Sequence, residues 1–246
     1  MARTGTTDQS GIILSGVSYA VAGRDILSDL TLSLTERRIG IIGRNGSGKT
    51  TLLRLMAGLV APAAGTVTVD GIAPSDRKAM LSRLGILFQN PDHMILFPTV
   101  AEELAFGLRQ MGHTEAVAQS RALACLHAEG RAHWAKAPTA TLSQGQRHYL
   151  CLLSVLLMQP ETILLDEPFA GLDLPTQTRL ARRFHALPQR LITISHDPAA
   201  VAGAERLLWL DAGRIRADGP PDAVLPAFAA EMARIGEVDA DTDLAG

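Results

Sequence analysis

The chain has 246 residues, of which 47% are hydrophobic and 20% charged, and its formal net charge is −2. This length allows one large core with a smaller subdomain, and the near-neutral charge without a Lys/Arg-rich block disfavours a nucleic-acid partner. The longest apolar stretch, Leu150 to Met158, is far shorter than the roughly 20 residues that cross a bilayer. The N-terminus lacks the apolar core of a secretory signal, and Cys125 and Cys151 lack metal-ligand spacing. Both features are typical of a cytosolic protein with reduced thiols.

Short apolar runs rich in β-forming residues alternate with helical patterns along most of the chain. Strands are predicted over residues 12–21, 31–34, 38–43, 65–71, 85–88, 162–166, 191–195 and 206–210. This alternation predicts an α/β sheet covered by helices on both faces. Residues 90–145 instead carry helical patterns over 100–111 and 114–128, so we interpret the stretch as an inserted helical subdomain. Residues 1–11 and those from 236 on have little to bury and are predicted to be flexible.

A phosphate-binding loop is the strongest local signal. The run GRNGSGKT, residues 43–50, matches G-x-x-x-x-G-K-[ST] between a predicted strand and a predicted helix over 51–57. Glycines let backbone N–H groups surround phosphate oxygens, and the helix N-terminus adds its positive dipole end. Lys49 is expected to reach the β- and γ-phosphates, and the Thr50 hydroxyl to bind Mg²⁺. The predicted phosphate-binding residues are Gly43, Asn45, Gly46, Ser47, Gly48, Lys49, Thr50 and Thr51.

Two acidic residues end the predicted strand in ILLDE, residues 163–167. Asp166 would emerge at the carboxyl edge of the sheet, where α/β folds bind ligands, and could hold Mg²⁺ through water. Glu167 follows immediately and is expected to polarise the attacking water. The alternative is a strand that simply ends in two solvated acids, which the phosphate loop upstream disfavours.

The run LSQGQ, residues 142–146, lies between the phosphate loop and ILLDE. With these motifs in this order, the chain resembles the nucleotide-binding subunits of ATP-binding cassette (ABC) proteins over about residues 12–225. The resemblance implies a P-loop NTPase (RecA-like) core, an antiparallel β subdomain and an inserted α-helical subdomain of about residues 90–160. It also implies that the chain hydrolyses ATP with Mg²⁺.

Further residues take implied roles only through this resemblance. Gln89 in LFQNPD is similar to the glutamine of the family's Q-loop, which connects the γ-phosphate and Mg²⁺ region to the helical subdomain. Asp173 in the run GLD, residues 171–173, resembles the D-loop aspartate. His196, which follows LITIS, resembles the switch histidine that contacts the γ-phosphate. Taken alone, Gln89 and His196 would be an ordinary loop amide and a capping histidine.

The LSQGQ run itself resembles the family's signature motif. Ser143 fits the N-cap of a long helix over 144–158, and Gly145 allows close backbone approach. A helix start of this kind is an anion site, for which we expect Ser143, Gly145 and Gln146 to face a nucleotide. In the family this site closes on the ATP of the other subunit. The chain therefore needs a second ATPase, and because both half-sites are complete in one chain, a homodimer is the simpler expectation.

Two positions depart from the family's commonest pattern. Gln144 replaces the first glycine of LSGGQ, which is tolerable where φ stays negative. Near the adenine, the position that is usually aromatic corresponds to Val21. Tyr19, two residues earlier on the same strand face, either stacks on the base in its place or belongs to the core.

The stretch FQNPDHMILFPTVAEELAFGL, residues 88–108, resembles the ATPases of energy-coupling-factor (ECF) importers, and DEPFAGLD resembles the biotin branch. In that architecture two ATPases on the cytoplasmic face bind a transmembrane coupling protein, and a separate membrane protein captures a vitamin or transition-metal ion. The groove around Gln89 to Glu103 would receive a coupling helix. The alternatives are an exporter ATPase, a non-transport ABC protein and a catalytically dead cassette. The intact Lys49 and Glu167 disfavour the last of these.

Overall fold

A computed structural model describes residues 10–237. Its strands are β1 (Ile12–Val21), β2 (Arg24–Leu34), β3 (Arg38–Ile42), β4 (Ala64–Val69), β5 (Leu84–Leu87), β6 (Thr162–Asp166), β7 (Arg190–Ser195), β8 (Arg206–Asp211) and β9 (Arg214–Gly219). Its α-helices are α1 (Lys49–Met56), α2 (Arg77–Met80), α3 (Val100–Gln110), α4 (Glu115–Ala128), α5 (Gln144–Leu157), α6 (Leu174–Ala186), α7 (Pro198–Val201) and α8 (Pro221–Gly236). None of these helices is long and apolar enough to span a membrane.

The strands form two sheets. A six-stranded sheet has the order β5-β6-β7-β3-β8-β9, with all neighbours parallel except β9, and a three-stranded antiparallel sheet has the order β2-β1-β4. Strand β6 is buried along its whole length, as expected of a parallel strand that is covered on both faces. The predicted P-loop NTPase core with an antiparallel β subdomain is confirmed.

The stretch between β5 and β6 carries helices and, within the described residues, no strand. Helix α4 presents Ala118, Ala122 and Leu126 to a cluster that includes Leu104 of α3 and Leu150 of α5. The two alanines lie one turn apart on the same helix face, so their small side chains let α4 pack closely against its neighbours. These contacts bury Leu150 and Leu153 in the middle of α5 and thereby fix the direction of the helix, whose first turn stays accessible to solvent.

The structure extends the sequence prediction at four places. Strand β2 begins at Arg24 rather than at residue 31, and β9 was missed, because both segments alternate polar residues along an exposed sheet edge. Helix α8 was not predicted; it ends at Gly236, the first residue of the predicted C-terminal tail, and its Phe228 packs edge-on against Trp209, with ring centroids 5.5 Å apart. Gly11 is buried and donates to Asp70. The remaining residues of the predicted tails, 1–9 and 238–246, lie outside the described residues.

Arg38, the first residue of β3, connects the sheet to the end of α6. Its guanidinium donates to the carbonyl oxygens of Leu187 at 2.5 Å, Gln189 at 2.7 Å and Phe184 at 3.3 Å. The last carbonyls of a helix have no intrahelical partner, and a cation there also complements the helix dipole. Arg38 therefore caps the carboxyl end of α6 from a neighbouring strand.

Candidate nucleotide-binding site

The carboxyl ends of four adjacent parallel strands form the candidate site. In sheet order, β5 leads to Gln89, β6 to Asp166 and Glu167, β7 to Ser195 and His196, and β3 to the phosphate loop. Neighbouring strands lie about 4.8 Å apart, so these groups span about 14 Å of the sheet edge. The topology thus brings the predicted phosphate-, metal- and γ-phosphate-contacting residues to one edge.

The phosphate loop forms a cradle between β3 and α1. The ammonium of Lys49 donates to the carbonyl oxygens of Gly43 at 2.7 Å and Arg44 at 2.9 Å, which holds it over the loop. The hydroxyl oxygen of Ser47 is buried and has no hydrogen-bond partner among the described residues. A buried hydroxyl without a partner and a desolvated ammonium fit a ligand that is rich in acceptor oxygens, such as a polyphosphate.

Two loop glycines are required by packing, and one of them is required by its backbone conformation as well. A Cβ at Gly43 would lie 2.2 Å from the carbonyl oxygen of Leu210. Gly48 caps α1 with φ 103°, a left-handed conformation that favours glycine, and a Cβ there would lie 2.7 Å from Leu27. Behind the loop, the amide of Gly213 in the β8–β9 turn donates to the carbonyl of Ser47. The loop is therefore supported from both sheets.

The charged groups of the site shift one another's protonation. Burial lowers the pKa of Lys49, against the charges of Glu167 and Asp166, which raise it. Burial also raises the pKa of Asp166, helped by the neighbouring charge of Glu167 and opposed by Lys49. Removing water from these groups strengthens their interactions with a charged ligand, and a divalent cation would relieve the repulsion between the two carboxylates. Thr50 and Gln89, the other predicted metal ligands, are exposed.

The carboxylate of Glu167 is held at both oxygens. Oε1 accepts from the backbone N–H of His196 at 2.9 Å and lies 2.8 Å from Nδ1 of the same residue, while Oε2 accepts from the hydroxyl of Ser195 at 2.7 Å. Glu167 has φ 47°, an uncommon value for a residue with a side chain. The sequence reasoning missed Ser195, although it ends an apolar strand at the same edge by which Asp166 was found.

The signature run starts α5 as the sequence predicted. The hydroxyl of Ser143 accepts from the amide of Gln146, whose side chain accepts in turn from the amide of Ser143. This reciprocal capping box fixes the first turn of the helix. Gln144 is the first helical residue and has negative φ, as required. Gly145 contacts its own chain, since a Cβ there would lie 2.9 Å from Thr176 of α6.

The side chain of Gln144 lies over the D-loop. A Cβ built on Gly171 would be 2.9 Å from Nε2 of Gln144. Asp173 of the same loop caps α6, and Oδ1 accepts from the amide of Thr176 at 3.0 Å. These hydrogen bonds with Thr176 lower the pKa of the exposed Asp173 carboxylate. The D-loop aspartate therefore has a structural role within this chain.

The predicted base-stacking position, Val21, has no aromatic side chain. Val21 is 51% exposed at the end of β1. Tyr19 is partly buried against the main hydrophobic core, which corresponds to the second of its two predicted alternatives. The packing of Tyr19 against the core therefore disfavours a role in stacking on the base.

A family model described as ABC transporter matches residues 27–170. The chain belongs to the ABC transporter family. A biotin transport ATP-binding protein, BioM, from Rhodobacter capsulatus is 52% identical over 219 residues, which is 89% of this chain and 94% of that protein. BioM of Rhizobium etli is 39% identical over 84% of this chain and 91% of its own length.

Solved structures agree with this assignment. CbiO1 from Clostridium perfringens, described as part of the ABC transporter complex CbiONQ, has a TM-score of 0.74 at 26% identity and covers 92% of this chain and 97% of its own. A dimeric ATP-binding cassette in a post-hydrolysis state with bound ADP and Pi has a TM-score of 0.73 at 25% identity, with coverage of 85% and 98%. The ABC ATPase fold is thereby confirmed, and the chain is an ATP-binding, ATP-hydrolysing subunit of an ABC transporter.

Proposed function

We propose that this ABC ATPase energises an importer of the energy-coupling-factor type, with biotin as the favoured substrate. The identity of 52% with a biotin transport ATP-binding protein, over nearly the full length of both chains, is the observation that carries the proposal. The structural similarity to a subunit of the CbiONQ complex agrees with it, as does the stretch of residues 88–108. The chain would act as a cassette of residues 12–225 with a helical subdomain of about residues 90–160.

In the proposed chemistry, the loop of residues 43–51 binds the phosphates of ATP, with Lys49 on the β- and γ-phosphates. Thr50, Asp166 and Gln89 would hold Mg²⁺, which supplies charge neutralisation at the transferring phosphoryl group. Glu167 polarises the attacking water as the general base. Its hydrogen bonds to Ser195 and His196 orient the carboxylate and place the switch histidine beside it.

We further propose that Ser143, Gly145 and Gln146 bind ATP that is held by a second copy of the chain. These three residues line a cavity together with Thr176 and Arg179 of α6. The phosphate-loop residues Gly43 and Asn45 line a different cavity with His196 and with Phe228 of α8. A helix N-terminus that lines a cavity separate from its own phosphate loop fits a nucleotide in a partner.

A mixed dimer tests this trans arrangement. In Lys49→Ala the phosphates lose their cation, and in Ser143→Arg the signature is blocked, so each homodimer should be nearly inactive. In the mixed dimer the trans geometry places both defects in one site and leaves the other site intact. Purification on two affinity tags, followed by ATPase assay, should show clear recovery over both parents. If it does not, the same chains carrying Glu167→Gln should close on ATP better than the parents, and failure of this second assay contradicts the trans site.

The proposed surface for the transmembrane coupling protein centres on Leu96. Of the apolar residues in this segment, Leu96 is 67% exposed, whereas Met94 and Ile95 pack against the protein interior. Glu103, which the sequence placed in the groove, is buried, and its carboxylate accepts from the amides of Leu96 at 2.8 Å and Phe97. Glu103 therefore fixes the backbone at Leu96 and Phe97 and does not contact a partner directly.

Leu96→Asp should weaken co-purification with the membrane coupling protein and the substrate-capture protein, and ATP binding should be unchanged. Leu123→Asp on α4 is the matched control, because Leu123 is also exposed and lies outside the segment. Equal losses of co-purification in the two variants, or no loss in either, would contradict the proposed surface at Leu96. Retention of integral membrane proteins would place this subunit at a membrane, where we propose that it is peripheral and lies on the cytoplasmic face.

Uptake assays test the substrate. Cells whose only copy of this chain carries Lys49→Ala should fail to accumulate labelled biotin, and wild-type chain should restore accumulation. Loss of cobalt or nickel uptake with normal biotin uptake would instead favour a metal-ion importer. Increased cellular biotin in the variant would favour an exporter.

A further inference from the structure

His148 is completely buried in the second turn of α5, and its ring contacts two backbone carbonyl groups. Nε2 lies 3.1 Å from the oxygen of Gln89, which is 59 residues distant in sequence. Nδ1 lies 3.3 Å from the oxygen of Gln144, one turn earlier in the same helix. The sequence motifs assigned no role to His148. It nevertheless connects the Q-loop to the first residue of the signature helix.

The donor can be assigned from the surroundings of the ring. The ring is completely buried and its two nitrogens face only carbonyl oxygens, and a neutral imidazole has one N–H to donate to one of them. The carbonyl of Gln144 is placed to accept the helical N–H of His148 itself. Gln89 lies beyond the end of β5, so its carbonyl has no place in the sheet ladder and needs another donor. We therefore assign the proton to Nε2, where it donates to Gln89.

Two neighbouring contacts attach the same segment to the same face of α5. Nε of Arg147 lies 3.3 Å from Oδ1 of Asp92, and the thiol of Cys151 lies 3.8 Å from the oxygen of Pro91. Residues 147, 148 and 151 share a helix face. Residues 89–92 thus lie along the start of α5, although they continue directly from a strand of the sheet.

We propose that His148 is a positioning residue that fixes the Q-loop glutamine to the signature helix, so that Gln89 and Ser143 move as one rigid unit. The proposal rests on the proposed function, in which Gln89 faces the ATP of its own chain and Ser143 faces that of the partner. If the connection is rigid, the contact of Gln89 with its own ATP also positions Ser143 for the ATP of the partner, and the reverse holds as well. The two ATP sites of the dimer should therefore respond cooperatively to ATP.

Three substitutions of His148 distinguish the role of Nε2 from that of Nδ1. The amide of glutamine extends about as far as Nε2, the amide of asparagine about as far as Nδ1, and leucine donates at neither place. His148→Leu and His148→Asn should lower kcat about tenfold or more through misplacement of Gln89, and should bring the Hill coefficient for ATP towards 1. His148→Gln should restore both. The Kd for ATP should stay within about twofold of wild type in all three, because the phosphate loop is unchanged.

Hydrogen exchange provides a readout that needs neither nucleotide nor dimer. In the nucleotide-free chain, amides of residues 90–95 should exchange faster in His148→Asn and His148→Leu than in His148→Gln, and amides of α1 should be unchanged. If His148→Leu does not fold, the Asn and Gln variants carry the test. Unchanged exchange at residues 90–95, or faster exchange with wild-type kcat and cooperativity, overturns the proposal. A failure of the proposed dimer is distinguished by Glu167→Gln in a chain with the native His148. If that protein forms no dimer on addition of ATP, the proposed function fails and not the role of His148.

Discussion

Ser195 donates a hydrogen bond of 2.7 Å from its hydroxyl to Oε2 of Glu167, and the same hydroxyl accepts from the amide of Asp197 at 3.0 Å. Ser195 is 2% exposed, so water does not compete for these contacts. The last residue of β7 thereby orients the proposed general base at the end of β6. Because the two strands are neighbours in the sheet, the orientation of the carboxylate is built into the parallel register.

Removal of the Ser195 hydroxyl should impair turnover without impairing binding. Ser195→Ala leaves Oε2 of Glu167 without its donor, and we expect kcat to fall about tenfold with little change in the Kd for ATP. Ser195→Thr keeps the hydroxyl and is the control. Steady-state ATPase assays and nucleotide titration measure the two quantities. Wild-type kcat in Ser195→Ala would show that the hydroxyl does not orient the base.

Glu167→Gln should retain ATP binding and lose about 10²-fold or more in turnover, the range found for a removed general base. The amide can still accept from Ser195, so the fold of the site should persist. Because hydrolysis is what reopens the proposed sandwich, the variant should accumulate an ATP-bound dimer on gel filtration. Turnover near that of wild type would contradict the assignment of Glu167.

Recognition of the base should be loose, because Val21 offers no ring for stacking. GTP should compete within about tenfold of ATP, or about 1.4 kcal/mol. Val21→Tyr should tighten ATP binding by about 1–3 kcal/mol, the range for stacking a base on an aromatic residue. Tyr19→Ala is the comparison and should lower thermal stability with little effect on selectivity, since Tyr19 packs against the core. A strong, ATP-selective loss in Tyr19→Ala would show that Tyr19 stacks on adenine.

Gly171 and Gln144 should be energetically coupled. Gly171→Ala places a methyl group 2.9 Å from Nε2 of Gln144 and also forces a side chain onto φ 71°, so it should be destabilising by about 1–3 kcal/mol. In a Gln144→Gly background the contact disappears and only the conformational cost remains. Denaturant unfolding of the four proteins measures the difference as a double-mutant cycle. Strict additivity would show that Gln144 does not constrain the D-loop.

The ionisation of Glu231 should make α8 sensitive to acid. Hydrogen bonds from Arg234 and Arg216 lower the pKa of Glu231 to about 2. A depressed pKa stabilises the folded state fully above the ordinary glutamate value and loses this effect as pH falls from there towards about 2. NMR titration of the side-chain carboxyl measures the pKa directly. In Glu231→Gln this contribution to the pH dependence of stability should be absent, and an ordinary pKa in the parent would contradict the ion-pair network.

The sequence predicted what depends on local chemistry. The phosphate loop, the strand that ends in Asp166 and the Ser143 cap each follow from short-range rules of backbone geometry and hydrogen bonding, and the buried strands follow from unbroken apolar runs. The polar strand β9 was missed because its pairing depends on β8 and not on its own composition. His148 could not be found, since its partner Gln89 is brought to it only by the tertiary fold. Ser195 was missed although it ends an apolar strand at the same sheet edge as Asp166, because its partner Glu167 lies on the neighbouring strand.

Helix α6 carries a mechanical consequence of its two caps. One end begins at Asp173 in the D-loop, and the other is held by Arg38, which opens the strand that runs into the phosphate loop. Its 13 residues form a rod of about 20 Å, for which a tilt of about 3° displaces the free end by about 1 Å. With the far end fixed to β3, a second molecule pressing on the D-loop would turn this rod as a lever about Arg38. A contact at the D-loop would then displace Arg38 and strain β3, the strand that leads into the phosphate loop.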